Sequence, residues 1–91
     1  MRTLIEFEIP ADAGNAAIKD GSLQQTMGKV MEDLKPEAAY FGIRNGKRGG
    51  FLFVDLPHAS DMSRVAEPFF QLGGSVEMCP VMTLQEVAGG L

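Results

Sequence analysis

The chain has 91 residues, a formal net charge of -4 at pH 7, one cysteine and one histidine. A chain of this length buries only about 60–65% of its unfolded surface, so residues 1–91 are expected to form one domain. The negative charge disfavours nucleic acid and anionic membranes, and no segment approaches the roughly 18 uninterrupted apolar residues of a membrane span. A single cysteine excludes an intrachain disulfide and suits a reducing compartment, so a cytoplasmic protein is expected.

The first predicted element is a strand over residues 3–9. Its side chains alternate between apolar and polar, which is the period of a strand with one buried face. This alternation differs from the continuous apolar region of a secretory signal, so no such signal is expected. One face carries Thr3, Ile5, Phe7 and Ile9, and the other carries Leu4, Glu6 and Glu8.

A helix is predicted over residues 22–34. Asn15 has the side chain of an N-cap, and Gly21 favours an irregular or kinked start between Asn15 and Ser22. Pro36 ends the helix. Apolar residues recur along it at the spacing of one helical face, namely Leu23, Met27, Val30, Met31 and Leu34.

The dipeptide Asn45-Gly46 predicts a β-hairpin between residues 38–44 and 49–56. This dipeptide tolerates the positive φ angles of a two-residue type I′ turn. The turn sets the register, in which Tyr40 faces Phe51. One face of the hairpin then carries Ala39, Phe41, Ile43, Leu52, Val54 and Leu56, and the other carries Ala38, Tyr40, Arg44, Phe51, Phe53 and Asp55.

The last third of the chain predicts a second helix and a fourth strand. Ser60 is a suitable N-cap for the helix, and Pro68 is expected to kink or restart it. Residues 75–83 form the strand, in which Pro80 indicates an edge position, and a short helix is expected from Leu84. The apolar face of the second helix consists of Met62, Val65, Ala66 and Phe69.

The predicted order of strand, helix, strand, strand, helix, strand is the ferredoxin-like βαββαβ arrangement. In this α+β fold, right-handed connections place two helices on one face of a four-stranded antiparallel sheet, with strand one between strands three and four. The apolar face of the hairpin, including Phe41 and Ile43, is expected to lie under the helices. The other face carries no helix, although it presents Leu4, Tyr40, Phe51 and Phe53 beside Glu6, Glu8, Asp55, Glu77 and Cys79. Burying three aromatic rings is worth several kcal/mol at about 25 cal/mol per Å², so a homodimer through this uncovered face is expected.

The element order resembles the dimeric α+β barrel superfamily over the whole chain. Four segments resemble one bacterial family within it, namely KPEAAYF at residues 35–41, GKR at 46–48, EPFF at 67–70 and PVMT at 80–83. The resemblance implies two protomers that close their sheets around a shared interior. The superfamily includes cofactor-independent monooxygenases, haem-degrading enzymes, muconolactone isomerases and ligand-sensing domains, and the fold does not choose among them. The chain has no tryptophan, and its histidine precedes the second helix, so the haem-degrading pattern is not expected.

Tyr40 and Asp55 are the predicted catalytic residues. Tyr40 could donate a hydrogen bond to a substrate oxygen, while Asp55 or a nearby carboxylate acts as acid or base, because carboxylates crowded in a closed interior repel one another. The simpler alternative is that these acids are solvated or paired with cations such as Arg2 and Arg44.

Glu37, Arg48, His58 and Glu77 are candidate ligand-binding residues. Glu37 and Arg48 lie beside the ends of elements, where capping or ion pairing is the alternative. His58 lies at a strand-to-helix turn, where the simpler interpretation is a solvated loop histidine. Glu77 lies on the uncovered face. No metal site is predicted, because the carboxylates lack a recognised ligand spacing and Cys79 and His58 lack the spacing of a zinc site. Cys79 is not predicted as a nucleophile, because its sequence neighbours supply no base.

The sequence therefore predicts a homodimer that binds a small organic ligand without a cofactor. The enzymatic version is a cofactor-independent oxygenase or isomerase. The alternative is a non-catalytic interaction or regulatory module whose sheet face serves only assembly.

Overall fold

The computed structural model describes residues 1–91 and contains four strands and four helices. The strands form one antiparallel sheet in the order β2-β3-β1-β4, so β2 and β4 are its edges. This is the predicted ferredoxin-like α+β architecture, with one helix more than expected before β2. None of the helices has the length and apolarity needed to cross a membrane. In chain order the elements are β1 (Arg2–Ile9), α1 (Ala11–Lys19), α2 (Ser22–Leu34), β2 (Ala38–Arg44), β3 (Lys47–Asp55), α3 (Asp61–Gln71), β4 (Ser75–Pro80) and α4 (Leu84–Gly89).

The hairpin of β2 and β3 has the predicted turn and register. Tyr40 pairs with Phe51 across the two strands. Asn45 and Gly46 have φ angles of 50° and 74°, and both are positive, as a type I′ turn requires. Because side chains alternate along a strand, this register determines which residues share each face of the sheet.

The core lies between one face of the sheet and the helices α1, α2 and α3. Phe69 of α3 is fully buried, and its ring centroid lies 4.6 Å from that of Phe7. α1 contributes Ala17 and α2 contributes Val30 to the same cluster. The central strands supply Ile5, Phe7, Ile9, Leu52 and Val54, and Leu56 follows them from the end of β3.

The predicted irregular start of the first helix is wrong, because residues 11–19 form the separate helix α1. Pro10 precedes it with a φ angle of −56°, which suits the entry to a helix, and four alanines give the segment high helix propensity. Asn15 lies within α1 and does not cap a helix. Gly21, with a φ angle of 81°, turns the chain into α2, whose bounds are those predicted.

The start and the interior of α3 depart from the simplest expectations. Ser60 occupies the N-cap position, but its backbone is helical and its side chain makes no capping hydrogen bond. Asp61 Oδ2 instead accepts a hydrogen bond of 3.0 Å from the backbone N–H of His58. α3 continues through Pro68 without a break.

Pro80 lies on an edge strand, as predicted, and ends that strand three residues earlier than expected.

The prediction that Phe41 and Ile43 lie under the helices is also wrong. Their side chains are 58% and 78% exposed. β2 is an edge strand, and the helices cover the central strands beside it. The ring of Phe41 only meets the edge of the core, 6.2 Å from the ring of Phe7.

Gly42 and Gly49 pair across β2 and β3 and give a matched test of strand packing. A Cβ on Gly49 would lie 2.4 Å from the main-chain oxygen of Phe7, whereas a Cβ on Gly42 would meet no atom within 4 Å. We expect Gly49→Ala to lower the free energy of unfolding by about 1–3 kcal/mol, because backbone must shift. Gly42→Ala is expected to change it by less than about 0.5 kcal/mol. Urea unfolding measures both variants, and equal losses would contradict the close approach of β1 to Gly49.

Candidate functional site

The uncovered face, opposite α1, α2 and α3, divides into an apolar end and a polar end. β1 runs through its centre and pairs with β3 on one side and β4 on the other. Three successive rows across β3, β1 and β4 are Phe53–Leu4–Cys79, Phe51–Glu6–Glu77 and Gly49–Glu8–Ser75. The first of these rows has no carboxylate, whereas the next two contain Glu6, Glu77 and Glu8.

A cleft of about 310 Å³, here called the polar cleft, opens at the polar end of this face. Arg44 Nη1 lies 3.2 Å from Glu6 Oε2, and each side chain is about three-quarters buried. Asn45 Nδ2 donates a hydrogen bond to Glu8, and Lys47 Nζ lies 3.8 Å from the other oxygen of that carboxylate. The lining residues are Glu6, Glu8, Arg44, Asn45, Ser75, Val76 and Glu77.

Arg44 connects the polar cleft to the aromatic part of the face. Its guanidinium carbon lies 4.6 Å from the ring centroid of Phe51, the geometry of a cation–π contact. Three carboxylates and one guanidinium line the cleft, so its potential is negative. Glu77 forms no ion pair, and its carboxylate is open to solvent. The cleft can therefore accept hydrogen bonds from a ligand more readily than it can hold an anion.

The two predicted catalytic residues lie in different rows of the uncovered face. Tyr40, on the edge strand β2, is 65% exposed and shares a row with Glu6 and Glu77. Asp55 lies four residues from that row along β3, about 13 Å away at about 3.3 Å per residue. Its Oδ1 lies 2.7 Å from the amino group of Met1. The structure therefore does not bring Tyr40 and Asp55 together within one chain.

Glu37 lies at the opposite end of the sheet from the polar cleft. Its Oε1 accepts a hydrogen bond of 3.1 Å from Arg2 Nε, and Arg2 Nη1 also donates to Glu86. The backbone N–H of Thr83 and the Arg2 guanidinium both donate to Glu86, which lowers its pKa to about 2. The same two acids raise the pKa of Arg2, with Glu86 contributing most. Sequence reasoning missed this contact, although Thr83 and Glu86 have the spacing of a capping box.

Arg48 lies on the helix side of the sheet and does not line the polar cleft. Its Nη2 donates a hydrogen bond of 2.9 Å to Asn15 Oδ1 on α1. Its Nη1 lies 2.6 Å from the position that a Cβ on Gly14 would occupy. Arg48, a predicted ligand-binding residue, therefore pairs with Asn15, the residue predicted as an N-cap.

His58 is exposed in the loop before α3, away from the polar cleft. It helps to line a separate apolar cavity of about 190 Å³, together with Cys79 and Met62. Of the six predicted site residues, only Glu77 lines the polar cleft. Tyr40 lies in the same row of the sheet as Glu77 but does not line the cleft. Asn45 was predicted as a turn residue, and its contact with Glu8 gives it a second role.

Comparisons with known proteins identify the fold. No family model matches the chain, and no curated protein matches its sequence. The structure is similar to that of 5-chloro-2-hydroxyhydroquinone dehydrochlorinase from Burkholderia phenoliruptrix AC1100, solved in complex with 2,5-dihydroxybenzoquinone. The TM-score is 0.69 and the identity 15%, over 94% of this chain and 98% of the other. The fold is that of the dimeric α+β barrels. At this identity the similarity shows the fold alone.

In this fold the helices α1, α2 and α3 leave one face of the sheet uncovered, and the polar cleft opens on that face. The narrower resemblance to one bacterial family rests on four short segments and stays a prediction.

Proposed function

We propose that two copies of this chain pack with their uncovered faces together and bind a small organic ligand in the polar cleft between the sheets. The observation that carries the proposal is the position of this cleft, directly beside the apolar residues Leu4, Phe51 and Phe53 on the face that α1, α2 and α3 leave free. The apolar end supplies area for assembly, and the polar end supplies groups for recognition.

The dimensions of the cleft favour a ligand of about one substituted ring. Its volume of about 310 Å³ lies at the lower end of the range for small-molecule sites. Phe51 and the guanidinium of Arg44 offer a flat surface on which such a ring could stack. The dehydrochlorinase of similar fold was solved with 2,5-dihydroxybenzoquinone, a ring of this size, which supports the proposed ligand size.

The charges of the cleft favour a neutral ligand with hydroxyl groups. Ionised carboxylates only accept hydrogen bonds, so Glu6, Glu8 and Glu77 are matched by donors on the ligand. An anionic ligand would meet three carboxylates with only Arg44 and the neighbouring Lys47 to offset them. We therefore propose a phenolic compound as the ligand class.

The enzymatic form of this proposal is a cofactor-independent oxygenase or isomerase. Tyr40 would donate a hydrogen bond to the substrate, and Glu6 or Glu77, which lie in its row, would accept a proton. A pair of Tyr40 with Asp55 would have to form between two protomers, because the residues are far apart in one chain. Glu37, Arg48 and His58 would act outside the polar cleft.

One observation favours the second candidate, a non-catalytic module whose face serves only assembly. The carboxylates of Glu6 and Glu8 are already paired with Arg44, Asn45 and Lys47 within the chain. These pairs already give the two carboxylates hydrogen-bond and charge partners in the absence of a ligand.

Thermal unfolding with small aromatic probes tests the proposal. Resorcinol is neutral with two hydroxyl groups, and benzoate is an anion of similar size. At ten times its Kd, resorcinol is expected to stabilise the protein by about 1.4 kcal/mol, which raises Tm by about 5–10 °C. Benzoate is expected to give no shift.

Two glutamate variants show whether the polar cleft is the binding site. Glu77→Ala removes an acceptor of the cleft and should remove most of the resorcinol shift, whereas the matched variant Glu67→Ala, on the exposed surface of α3, should retain it. If the protein is a dimer and none of several neutral phenols raises its Tm, the proposed phenolic ligand is wrong. That result would support the non-catalytic module whose face serves only assembly.

A further inference from the structure

The small apolar cavity beside His58, here called the methionine cavity, lies on the helix side of the sheet. Its volume is about 190 Å³. Thr3 lines it from β1 and is 4% exposed, and Met78 lines it from β4, where it pairs with the fully buried Ile5. Met62 borders the cavity from the first turn of α3. The cavity is therefore enclosed by the sheet and the start of α3, at the opposite end of β1 from the polar cleft.

The methionine cavity gathers half of the methionines of the chain and its only histidine. The chain has six methionines, and Met1, Met62 and Met78 line this cavity together with His58. Thioether sulfur selects soft cations such as Cu(I), and imidazole also binds copper. No carboxylate lines the cavity, so Ca²⁺ and Mg²⁺, which require oxygen ligands, are disfavoured.

Backbone contacts hold these donors around the cavity. The amino group of Met1 donates a hydrogen bond of 3.0 Å to the main-chain oxygen of Leu56. The backbone N–H of His58 donates to Asp61, which fixes the loop before α3, while the imidazole forms no hydrogen bond or ion pair within the chain. Met78 is held in the ladder between β1 and β4. The main chain is thus fixed, and the flexible ends of the methionine side chains are free to converge on an ion.

Exposure and size distinguish this cavity from ordinary core packing and from a site for an organic ligand. The side chains of Met1 and Met62 are 64% and 46% exposed, whereas methionines that served only to fill the core would be buried. The volume is below the range of about 300–1,000 Å³ for small-molecule sites. An ion with the side chains that bind it fits this space better than a substituted ring.

The thiol of Cys79 is not part of this set of donors. Cys79 pairs with Leu4 on the uncovered face, one residue from Met78 on the helix side. Because successive side chains of a strand point to opposite faces, the thiol lies away from the methionine sulfurs. A thiolate also binds soft cations, so an experiment on the methionine cavity has to remove it.

We propose that the methionine cavity is a binding site for a soft monovalent cation, Cu(I). His58 and the thioethers of Met62 and Met78 bind the ion, and Met1 supplies a further thioether. No cluster of three or more histidine, cysteine, aspartate or glutamate side chains could hold a metal ion in this protein, so the site depends on the methionines. The site does not depend on the proposed homodimer, because the cavity lies on the helix side of the sheet.

Nuclear magnetic resonance with Ag(I) tests which side chains bind. Ag(I) has the charge and ligand preference of Cu(I) and is stable in air. In Cys79→Ser protein labelled at the methionine methyl groups, each methionine gives one signal. Silver nitrate should move the signals of the three methionines of the cavity and leave those of Met27 and Met82, which lie outside it, in place. Equal movement of all signals, or movement of none, would overturn the site.

Calorimetry on the same Cys79→Ser background measures the affinity. Met78→Leu keeps the volume and apolar character of the side chain but removes its sulfur, so it should raise the Kd for Ag(I) at least about tenfold. Met82→Leu makes the same change at an exposed position outside the cavity and should leave the Kd unaltered. Equal affinities for the two variants would overturn the site. Binding that is lost with Cys79→Ser alone would also overturn it, because the thiol would then be the ligand.

Discussion

Replacing Phe69 by alanine is expected to lower the free energy of unfolding by about 3–5 kcal/mol. Phe69 is fully buried, and its ring packs against that of Phe7 at 4.6 Å. Removing the ring leaves a cavity between α3 and the centre of the sheet, which the helix cannot fill without moving. Small domains have only about 5–15 kcal/mol of stability in total, so the variant should be close to unfolding at room temperature.

Phe70 supplies the control for this prediction. It is the next residue on the same helix, but its side chain is 50% exposed. Phe70→Ala should therefore cost no more than about 1 kcal/mol. Urea unfolding, followed by circular dichroism, measures both changes. Similar losses for the two variants would mean that α3 is rotated from the position described, because the two side chains differ only in the direction that they face.

The hairpin shows why much of the fold can be predicted from sequence. Asn45-Gly46 determines the turn, the turn determines the register, and the register assigns each side chain to a face. The strand order then follows from the hairpin and two helical connections. These steps depend on local turn chemistry and on the repeat of apolar residues, every two residues in a strand and every 3.6 residues in a helix. Both can be read from a single sequence.

The errors in the prediction come from features that depend on tertiary structure. α1 has no long apolar stripe, because it contributes mainly small residues such as Gly14 and Ala17 to the interface. Phe41 and Ile43 have the pattern of a buried strand, but the width of the helical layer determines whether they are covered. Arg48 and Asn15 are 33 residues apart in sequence, and only the folded chain shows that they pair.

The candidate site was predicted less well than the fold, because sharing a face does not place two residues together. Tyr40 and Asp55 were correctly assigned to the uncovered face, but four residues of extended chain separate their rows. Glu6 and Glu77, which face each other across β1 and β4, are the pair that the register brings to the polar cleft. To predict a site on a β-sheet, one must therefore know which cross-strand row each residue occupies as well as which face of the sheet it lies on.

In the proposed dimer, the uncovered face would let so small a chain combine stability with ligand recognition. A chain of 91 residues has a limited core, and apolar residues of this face would add to stability when a second copy covers them. The carboxylates would oppose such burial if they lay in the same rows as Phe53 and Leu4. Their separation into the polar cleft would allow the apolar end to associate while the carboxylates remain available to a ligand.

Replacing Phe53 by glutamate is expected to raise the Kd of the proposed homodimer at least about 100-fold, which corresponds to about 2.7 kcal/mol. Phe53 lies at the apolar end of the uncovered face, in a row with Leu4 and Cys79 that contains no cation. The change removes apolar area from the interface and places an unpaired charge there. Phe70→Glu makes the same change on α3, on the other side of the sheet, and should leave the Kd unaltered. Light scattering over a range of concentrations measures the Kd, and circular dichroism confirms that both variants are folded. If Phe53→Glu remains a dimer at the concentrations at which the parent protein does, the dimer does not form through the uncovered face, and the polar cleft is then an open surface feature without the enclosed setting that ligand binding requires.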